Sequence, residues 1–247
     1  MTEHASHAEH THTHTKITQQ NSILLAGIMI SASILLHGVI VSNLSSKTSA
    51  SGLVDKSVIT AIMKKPFLGH RYFGDVTPTE EIVMVEYSDT ECPFCKNFHA
   101  TMEQAVTGGN GRIAWVYKHF PLSFHPNAQK EAESIECVRE FEGDVKAFQY
   151  MDGIFAVTPS NNKLPKEALF EITDAMKLHT KKIRECTDSG KYAQKVKDQI
   201  AEGEKNGVQG TPFTFVTQNK NGVATQLGTV NGAQPLEAVQ AILSQAK

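Results

Sequence analysis

The sequence predicts an α/β fold in which a block of helices interrupts a small sheet. An apolar run at 82–87 is followed by apolar residues at every fourth position and then by a second apolar run at 113–117. Helical periodicity alone fills the region at about 126–206. Near the C-terminus, an Asn-Gly turn at 221–222 separates two short strand patterns. This order of patterns indicates a strand–helix framework around a helical block, which is either an insertion into the sheet or a separate helical domain.

The first segment, residues 1–22, is polar and rich in Thr and His, with too little apolar surface to form a core. We therefore expect a disordered tail. Its closely spaced histidines leave two interpretations open, a loose site for a divalent metal or a solvated tail of biased composition. These histidines are His4, His7, His10, His12 and His14.

Residues 23–41 carry no formal charge. As a helix this segment would be roughly 28 Å long, close to the ~30 Å thickness of the bilayer core. It is predicted to be a single transmembrane signal anchor, with a cleaved signal peptide and a buried helix as the alternatives. Lysines on both sides balance each other, so charge does not orient the span. Residues 42–75 are predicted to be a Ser-rich tether and lead-in, with helical spacing at 53–65.

Two cysteines, Cys92 and Cys95, stand where the strand predicted at 82–87 meets the following helix. The first turn of a helix has unpaired N–H groups and the positive end of the dipole, which stabilise a thiolate. The second sulfur, one turn further on, lies close enough to form or resolve a disulfide. The pattern favours a redox-active dithiol. Half of a zinc site and a pair of inert buried cysteines are the alternatives.

The segments around this motif resemble the DsbA-like thiol–disulfide oxidoreductases of the thioredoxin fold, and most of all their membrane-anchored bacterial branch. The similar segments are Glu86-Tyr87-Ser88-Asp89, Cys92-Pro93-Phe94-Cys95, the run from Trp115 to Leu122, and Gly210-Thr211-Pro212. The resemblance extends from about residue 82 to the C-terminus. It implies a DsbA-like thioredoxin domain at 76–247, with the helical insertion at about 126–206.

The resemblance assigns roles within the motif. Cys92 is the expected nucleophile and Cys95 the resolving thiol. The intervening Pro93 and Phe94 are expected to set the redox potential. DsbA has a histidine where this chain has Phe94, so we expect a less oxidising pair than that of DsbA.

Two further positions gain roles through the resemblance. Pro212 matches the cis-proline that faces the motif and presents the backbone of Thr211 to an extended substrate. Glu86 matches an acidic residue beneath the active site, where burial would raise its pKa and let it accept the proton of Cys95. An exposed glutamate without a role is the alternative. Glu91, beside the first cysteine, is expected to be solvated.

Cys137 and Cys186 lie in predicted helices of the insertion. In the related branch, cysteines at similar places form a second disulfide, and closing a loop of about 50 residues would contribute roughly 4 kcal/mol in the chain-entropy model. Two reduced buried thiols are the alternative. His119 and His125 flank Pro121 and are expected at the surface or in capping positions.

The composition limits the classes of function. A net charge of −2 without a basic stripe argues against nucleic acid as a partner. Four cysteines in two separated pairs suit an oxidising compartment. Together with the resemblance, these observations imply a monomeric thiol oxidase, tethered to the cell membrane with its domain outside the cytoplasm, that uses no metal or cofactor. Its partners would be unfolded exported proteins and a membrane reoxidant of the DsbB or vitamin K epoxide reductase type. A disulfide reductase or isomerase, and a metal-handling module, are the alternatives.

Overall fold

A computed structural model of the protein describes residues 52–67 and 69–247. The predicted His-rich tail, the predicted membrane anchor and the tether as far as residue 51 lie outside these ranges. Within them, no helix is both long enough and apolar enough to cross a membrane. The compact unit begins at Gly52, upstream of the predicted domain start.

Five strands of the described residues form one sheet with the spatial order β1-β3-β2-β4-β5. The strands are β1 (Arg71–Phe73), β2 (Ile82–Ser88), β3 (Ile113–His119), β4 (Phe213–Lys220) and β5 (Val223–Asn231). A helical crossover makes β2 and β3 parallel, as expected. β4 and β5 form the predicted antiparallel hairpin, with Asn221 and Gly222 at positive φ. β1 was not predicted, because its three residues are too few to show a period.

Eight helices accompany this sheet in the described part of the chain. They are α1 (Lys56–Lys64), α2 (Pro93–Gly108), α3 (Pro126–Glu142), α4 (Asp144–Val157), α5 (Lys166–Ala175), α6 (Thr180–Ser189), α7 (Ala193–Lys205) and α8 (Leu236–Leu243). The predicted insertion corresponds to α3–α7. Its first helical pattern is split by Gly143, whose φ of 81° suits a residue without a Cβ. α1 packs on α4 and α5 with Ile59 fully buried.

The main core lies between one face of the sheet and the helices. Met84 of β2 and Trp115 of β3 are fully buried there, together with Phe98 of α2, Phe148 of α4 and Val239 of α8. The helical insertion therefore shares its core with the sheet, rather than forming a separate helical domain. This packing holds the start of α2 at the carboxyl end of β2, between the sheet and the insertion.

Candidate active site

The two cysteines of the motif lie at the beginning of α2 as thiols. Cys92 is the residue before the helix, and Pro93, which lacks an N–H, is its first residue. Cys92 is 3% exposed and Cys95 is completely buried. The Cys92 thiol lies 3.5 Å from the carbonyl oxygen of Thr211, and the Asp89 N–H donates to the Cys95 sulfur at 3.4 Å. Both sulfurs thus have polar contacts at the junction of strand and helix.

The pKa values of the two thiols are shifted in opposite directions. The hydrogen bond from the Cys95 thiol, helped by backbone N–H groups at the start of α2, lowers the pKa of Cys92 to about 6. Burial, and next the neighbouring Cys92 thiolate, raise the pKa of Cys95 well above its usual value. At neutral pH, Cys92 is therefore mainly a thiolate and Cys95 a thiol.

The loop that faces the motif has the predicted cis peptide bond between Thr211 and Pro212. Through the carbonyl of Thr211 it contacts the sulfur of Cys92. β4 begins at the next residue, Phe213, and pairs with β2. Phe94, inside the motif, is 62% exposed beside the buried thiols.

Glu86 is buried on β2, on the same face of the sheet as Met84 and Trp115. Burial raises the pKa of this carboxyl to about 7, although contacts with Ser88 and Trp115 and the charge of Arg71 lower it. The charge of Glu86 in turn raises the pKa of the Cys95 thiol. A carboxyl group with a pKa near neutrality therefore lies close to the resolving cysteine, as the resemblance implied.

Glu91 is fully buried, so the expectation that it is solvated was wrong. Its carboxylate accepts the N–H groups of Asn162 at 2.6 Å and Leu164 at 3.4 Å, because the loop between α4 and α5 folds over it. Glu131 of α3 lies beside it, where burial and the hydrogen bond with Glu91 raise the pKa of Glu131 well above its usual range. The residue before the nucleophile is thus held by the helical insertion. Periodicity could not show this, because the contact joins two loops.

Both histidines near Pro121 are buried, so a surface position is wrong for both, whereas the predicted capping position is confirmed for His125, which is the residue before α3. His125 is 3% exposed, and its Nδ1 lies 2.8 Å from Oδ2 of Asp89. His119 is 1% exposed and lies 3.3 Å from a carboxylate oxygen of Glu136. An Asp–His pair that was not predicted from the sequence therefore lies directly behind the cysteine motif.

Cys137 of α3 and Cys186 of α6 form the predicted disulfide. The bond connects two helices of the insertion and closes a segment of 49 residues. Neither cysteine belongs to the group of residues around Cys92.

A second polar cluster lies further along α2. His99 and Glu103 of that helix converge with Asp152 of α4, and their ligand atoms lie within 4.8 Å of one another. The guanidinium of Arg71, however, donates to Asp152 at 2.9 Å and lies 3.5 Å from Glu103. Burial opposes ionisation of Asp152, but the charge of Arg71 and the contact with His99 hold its pKa well below the usual range. The chain itself supplies the cation here, so we interpret the cluster as an ion-pair network that joins β1, α2 and α4.

A low-pKa cysteine before a helix, a buried second cysteine and a facing cis-proline loop together define a thiol site of the thioredoxin-fold class. A family model described as Thioredoxin matches residues 77–243, about two thirds of the chain. The chain belongs to this family.

Solved structures show the same fold. Pseudomonas aeruginosa DsbA2 superposes with a TM-score of 0.56 and 23% sequence identity, over 68% of this chain and 90% of that chain. Oxidised BdbD from Bacillus subtilis gives a TM-score of 0.56 at 19% identity, over 69% and 90%. The chain thus has the fold of DsbA-type thiol–disulfide oxidoreductases, with the predicted helical insertion.

Curated relatives are named as Na(+)/H(+) antiporters. The Na(+)/H(+) antiporter NhaA 1 of Salinispora arenicola is 26% identical over 166 residues, which are 67% of this chain and 23% of that protein. NhaA 3 of Salinispora tropica is 26% identical over 141 residues, 57% of this chain and 21% of that protein. The chain therefore spans less than a quarter of the length of these relatives.

Proposed function

We propose that this protein is an extracytoplasmic thiol–disulfide oxidoreductase that introduces disulfides into exported proteins through Cys92 and Cys95. The observation that carries the proposal is the asymmetry between the two thiols. The pKa of Cys92 is lowered to about 6, whereas that of the buried Cys95 is raised. A thiol of low pKa is a good leaving group, and a stabilised thiolate favours the reduced form of the pair, which makes the disulfide form an oxidant.

The proposed reaction begins with a Cys92–Cys95 disulfide. A substrate thiolate attacks the sulfur of Cys92, and the electron pair of the broken bond leaves on Cys95. Because the pKa of Cys95 is high, this sulfur takes up a proton, which the carboxyl group of Glu86 is suited to supply. A second substrate thiolate then attacks the mixed disulfide and releases Cys92 as a thiolate. The substrate dithiol is oxidised, and the protein is left reduced.

The substrate is proposed to be an extended, unfolded segment. The Thr211 carbonyl, 3.5 Å from the Cys92 sulfur, is placed to pair with a main chain that brings a cysteine to this sulfur. Phe94 and Phe124 are 62% and 66% exposed near the site. Exposed apolar side chains of this kind favour the binding of unfolded proteins, because these expose the apolar segments that native proteins bury.

The proposed location is the outer side of the cell membrane, with residues 23–41 as a retained anchor. The Cys137–Cys186 disulfide supports an oxidising compartment. The antiporter names of the curated relatives supply a membrane context for related sequences. A membrane partner of the DsbB or vitamin K epoxide reductase type is proposed to reoxidise the pair, and the protein is proposed to act as a monomer without a metal or cofactor.

The test is the equilibrium reduction potential of the Cys92–Cys95 pair in the full chain. A value of roughly −120 to −180 mV supports a disulfide donor, whereas about −270 mV supports the alternative, a reductase. The matched control is the double variant Cys137→Ser/Cys186→Ser, which leaves only the active-site pair to titrate. A stoichiometric metal that is lost on thiol alkylation would instead support the metal-handling alternative.

A further inference from the structure

One peptide unit connects the buried sulfur of the site with the loop that follows β3. The N–H of Asp89 donates to the sulfur of Cys95 at 3.4 Å. The carbonyl oxygen of the same peptide unit, on Ser88, accepts the N–H of Phe120 at 2.8 Å. A hydrogen bond accepted by the carbonyl polarises a peptide and strengthens its N–H as a donor. The peptide between Ser88 and Asp89 is therefore fixed at both of its polar ends.

The side chain of Asp89 is fixed by the same loop, residues 120–125. Its Oδ2 atom accepts the N–H of Leu122 at 2.8 Å and lies 2.8 Å from Nδ1 of His125. Its Oδ1 atom accepts the N–H of Glu91 at 2.7 Å. Asp89 and His125 are 1% and 3% exposed. Because hydrogen bonds to a buried carboxylate are strong, these three donors define the position of Asp89 closely.

We propose that Asp89 and His125 form a positioning pair that aims the Asp89 N–H at Cys95 and so assists the departure of the Cys95 thiolate. This inference rests on the proposed thiol–disulfide exchange. When a substrate thiolate bonds to the sulfur of Cys92, the Cys92–Cys95 bond breaks and its electron pair moves onto the Cys95 sulfur. The Asp89 N–H donates a hydrogen bond to the Cys95 sulfur, the atom on which this charge develops. A fixed donor at such an atom lowers the barrier, as the donors of an oxyanion hole do.

A purely structural role for the pair makes a different prediction. Loss of a structural contact would weaken the fold and slow every reaction of the site. The positioning role concerns only the step in which Cys95 leaves. The reactivity of Cys92 as a fully formed thiolate, which attacks an external reagent without the departure of Cys95, should remain unchanged.

The experiment compares His125→Leu with His125→Asn in the full chain. Leucine removes the donor, whereas the Nδ2 of asparagine lies as many bonds from the backbone as the Nδ1 of histidine and can donate to Asp89. The first rate to measure is that of dithiothreitol with the oxidised protein. The second is the alkylation of reduced protein by iodoacetamide at a pH where the Cys92 thiolate is complete. Circular dichroism checks that both variants fold.

We expect His125→Leu to slow the attack of dithiothreitol by about three- to tenfold, the effect of one weakened hydrogen bond. We expect His125→Asn to retain the wild-type rate within about twofold, and alkylation to be equal in all three proteins. Equal rates of disulfide attack in a folded His125→Leu variant would overturn the inference, as would a parallel loss of both reactivities. If the wild-type protein itself does not exchange its Cys92–Cys95 disulfide with dithiothreitol, the proposed function is contradicted, and the inference that rests on it is contradicted with it.

A second measurement does not depend on the folding of His125→Leu. In Cys92→Ala, which leaves Cys95 as a single thiol at the site, the amide proton of Asp89 is followed by NMR during a pH titration. We expect its chemical shift to move downfield together with the thiolate absorbance of Cys95. If the chemical shift of the amide proton did not change during this titration, the N–H would not interact with the thiolate, and the inference would be overturned.

Discussion

The two cysteine pairs of this chain are almost equally buried, but only one pair has the surroundings of a reactive site. Cys92 and Cys95 are 3% and 0% exposed, and Cys137 and Cys186 are 0% and 7% exposed. Exposure therefore does not separate the reactive pair from the structural one. The groups that contact the sulfurs distinguish the two pairs.

The contacts differ in kind. Cys92 stands before the first turn of α2, where the hydrogen bond from the Cys95 thiol, and next the N–H groups without a partner in the helix, lower the pKa of its thiol. Cys137 lies within α3, where the helix uses its own N–H groups. The sulfur of Cys186 lies 3.8 Å from a carboxylate oxygen of Glu140, whose charge opposes a thiolate. In this protein, the donors and charges around a sulfur distinguish the two roles, and burial does not.

The largest expected effect comes from removing the nucleophile. We expect Cys92→Ser to lower the rate of disulfide transfer to a reduced protein substrate by at least about ten-thousandfold, because Cys95 alone has no partner in the motif and so carries no disulfide to transfer. The measurement is the formation of disulfides in a reduced, unfolded substrate. The control is Cys137→Ser/Cys186→Ser, which should keep the wild-type rate within about twofold. If the double variant lost activity as completely as Cys92→Ser, the division between the pairs would be wrong.

The structural pair is expected to contribute to stability instead. Opening the 49-residue segment between Cys137 and Cys186 should lower the free energy of unfolding by about 4 kcal/mol in the chain-entropy model. The check is urea denaturation of the double variant beside the wild-type protein. Reduction of the Cys92–Cys95 pair serves as the comparison, because its loop is too short for a similar entropic effect. An unchanged denaturation midpoint in the double variant would contradict this role.

Two buried glutamates, one close to each pair, should respond to pH with opposite signs. Burial raises the pKa of Glu86 to about 7, so the folded protein holds this proton more tightly than the unfolded chain does. The associated stability is present below about pH 4.5 and is lost as the pH rises through about 7. We therefore expect Glu86→Gln to stabilise the protein by about 3 kcal/mol at pH 8, with almost no effect at pH 4. Urea denaturation at both pH values measures this.

Glu136, the residue before Cys137, is the matched control. Burial would raise its pKa, but His119 and Lys195 lower it to about 2. A depressed pKa contributes stability that is present above about pH 4.5 and is lost as the pH falls through about 2. Glu136→Gln should therefore destabilise the protein by about 3 kcal/mol at pH 5. Changes of the same sign in the two variants would refute the contrast between the two environments.

The sequence was sufficient to predict the parts of the molecule that depend on local patterns. The strand and helix around Cys92, the Asn221-Gly222 hairpin and the closing helix after Pro235 follow from period and turn chemistry. The cis bond at Pro212 and the Cys137–Cys186 pairing are also present, but only the resemblance to a known family implied them.

What the sequence did not predict are contacts between distant loops. Glu91 was expected to be solvated, and His125 was expected at the surface or in a capping position. The loop at 158–164 covers Glu91, and Asp89 binds His125 across 36 positions of the sequence. Such contacts depend on how the insertion packs against the sheet, which no local period encodes. The contacts of Glu91 and of Asp89 with His125, around the candidate active site, were not predicted for this reason.

The smallest expected effect concerns substrate recognition, and it compares two exposed phenylalanines, one near each pair. Phe124 precedes His125, and its carbonyl oxygen is bound by the side chain of Asn162 in the loop that covers Glu91. Phe141 lies on α3 beyond Cys137 and is 37% exposed. If Phe124 contacts apolar segments of unfolded substrates, Phe124→Ser should slow disulfide transfer to a protein substrate about fivefold, or about 1 kcal/mol, since partial burial provides only part of the ~1.5–3 kcal/mol that full burial of such a side chain contributes.

The same variant should react with dithiothreitol at the wild-type rate, because a small thiol does not reach Phe124. Phe141→Ser should leave both rates unchanged, since it removes the same kind of side chain from the helix that carries Cys137, outside the loop that holds Phe124. The quantity to compare in each variant is the ratio of the rate with a protein substrate to the rate with dithiothreitol. A general loss of folded protein lowers both rates equally and leaves this ratio unchanged. An equal ratio in the wild-type protein and in Phe124→Ser would mean that substrates approach Cys92 without contacting this loop. The exposed Phe94 would then be the apolar contact to test.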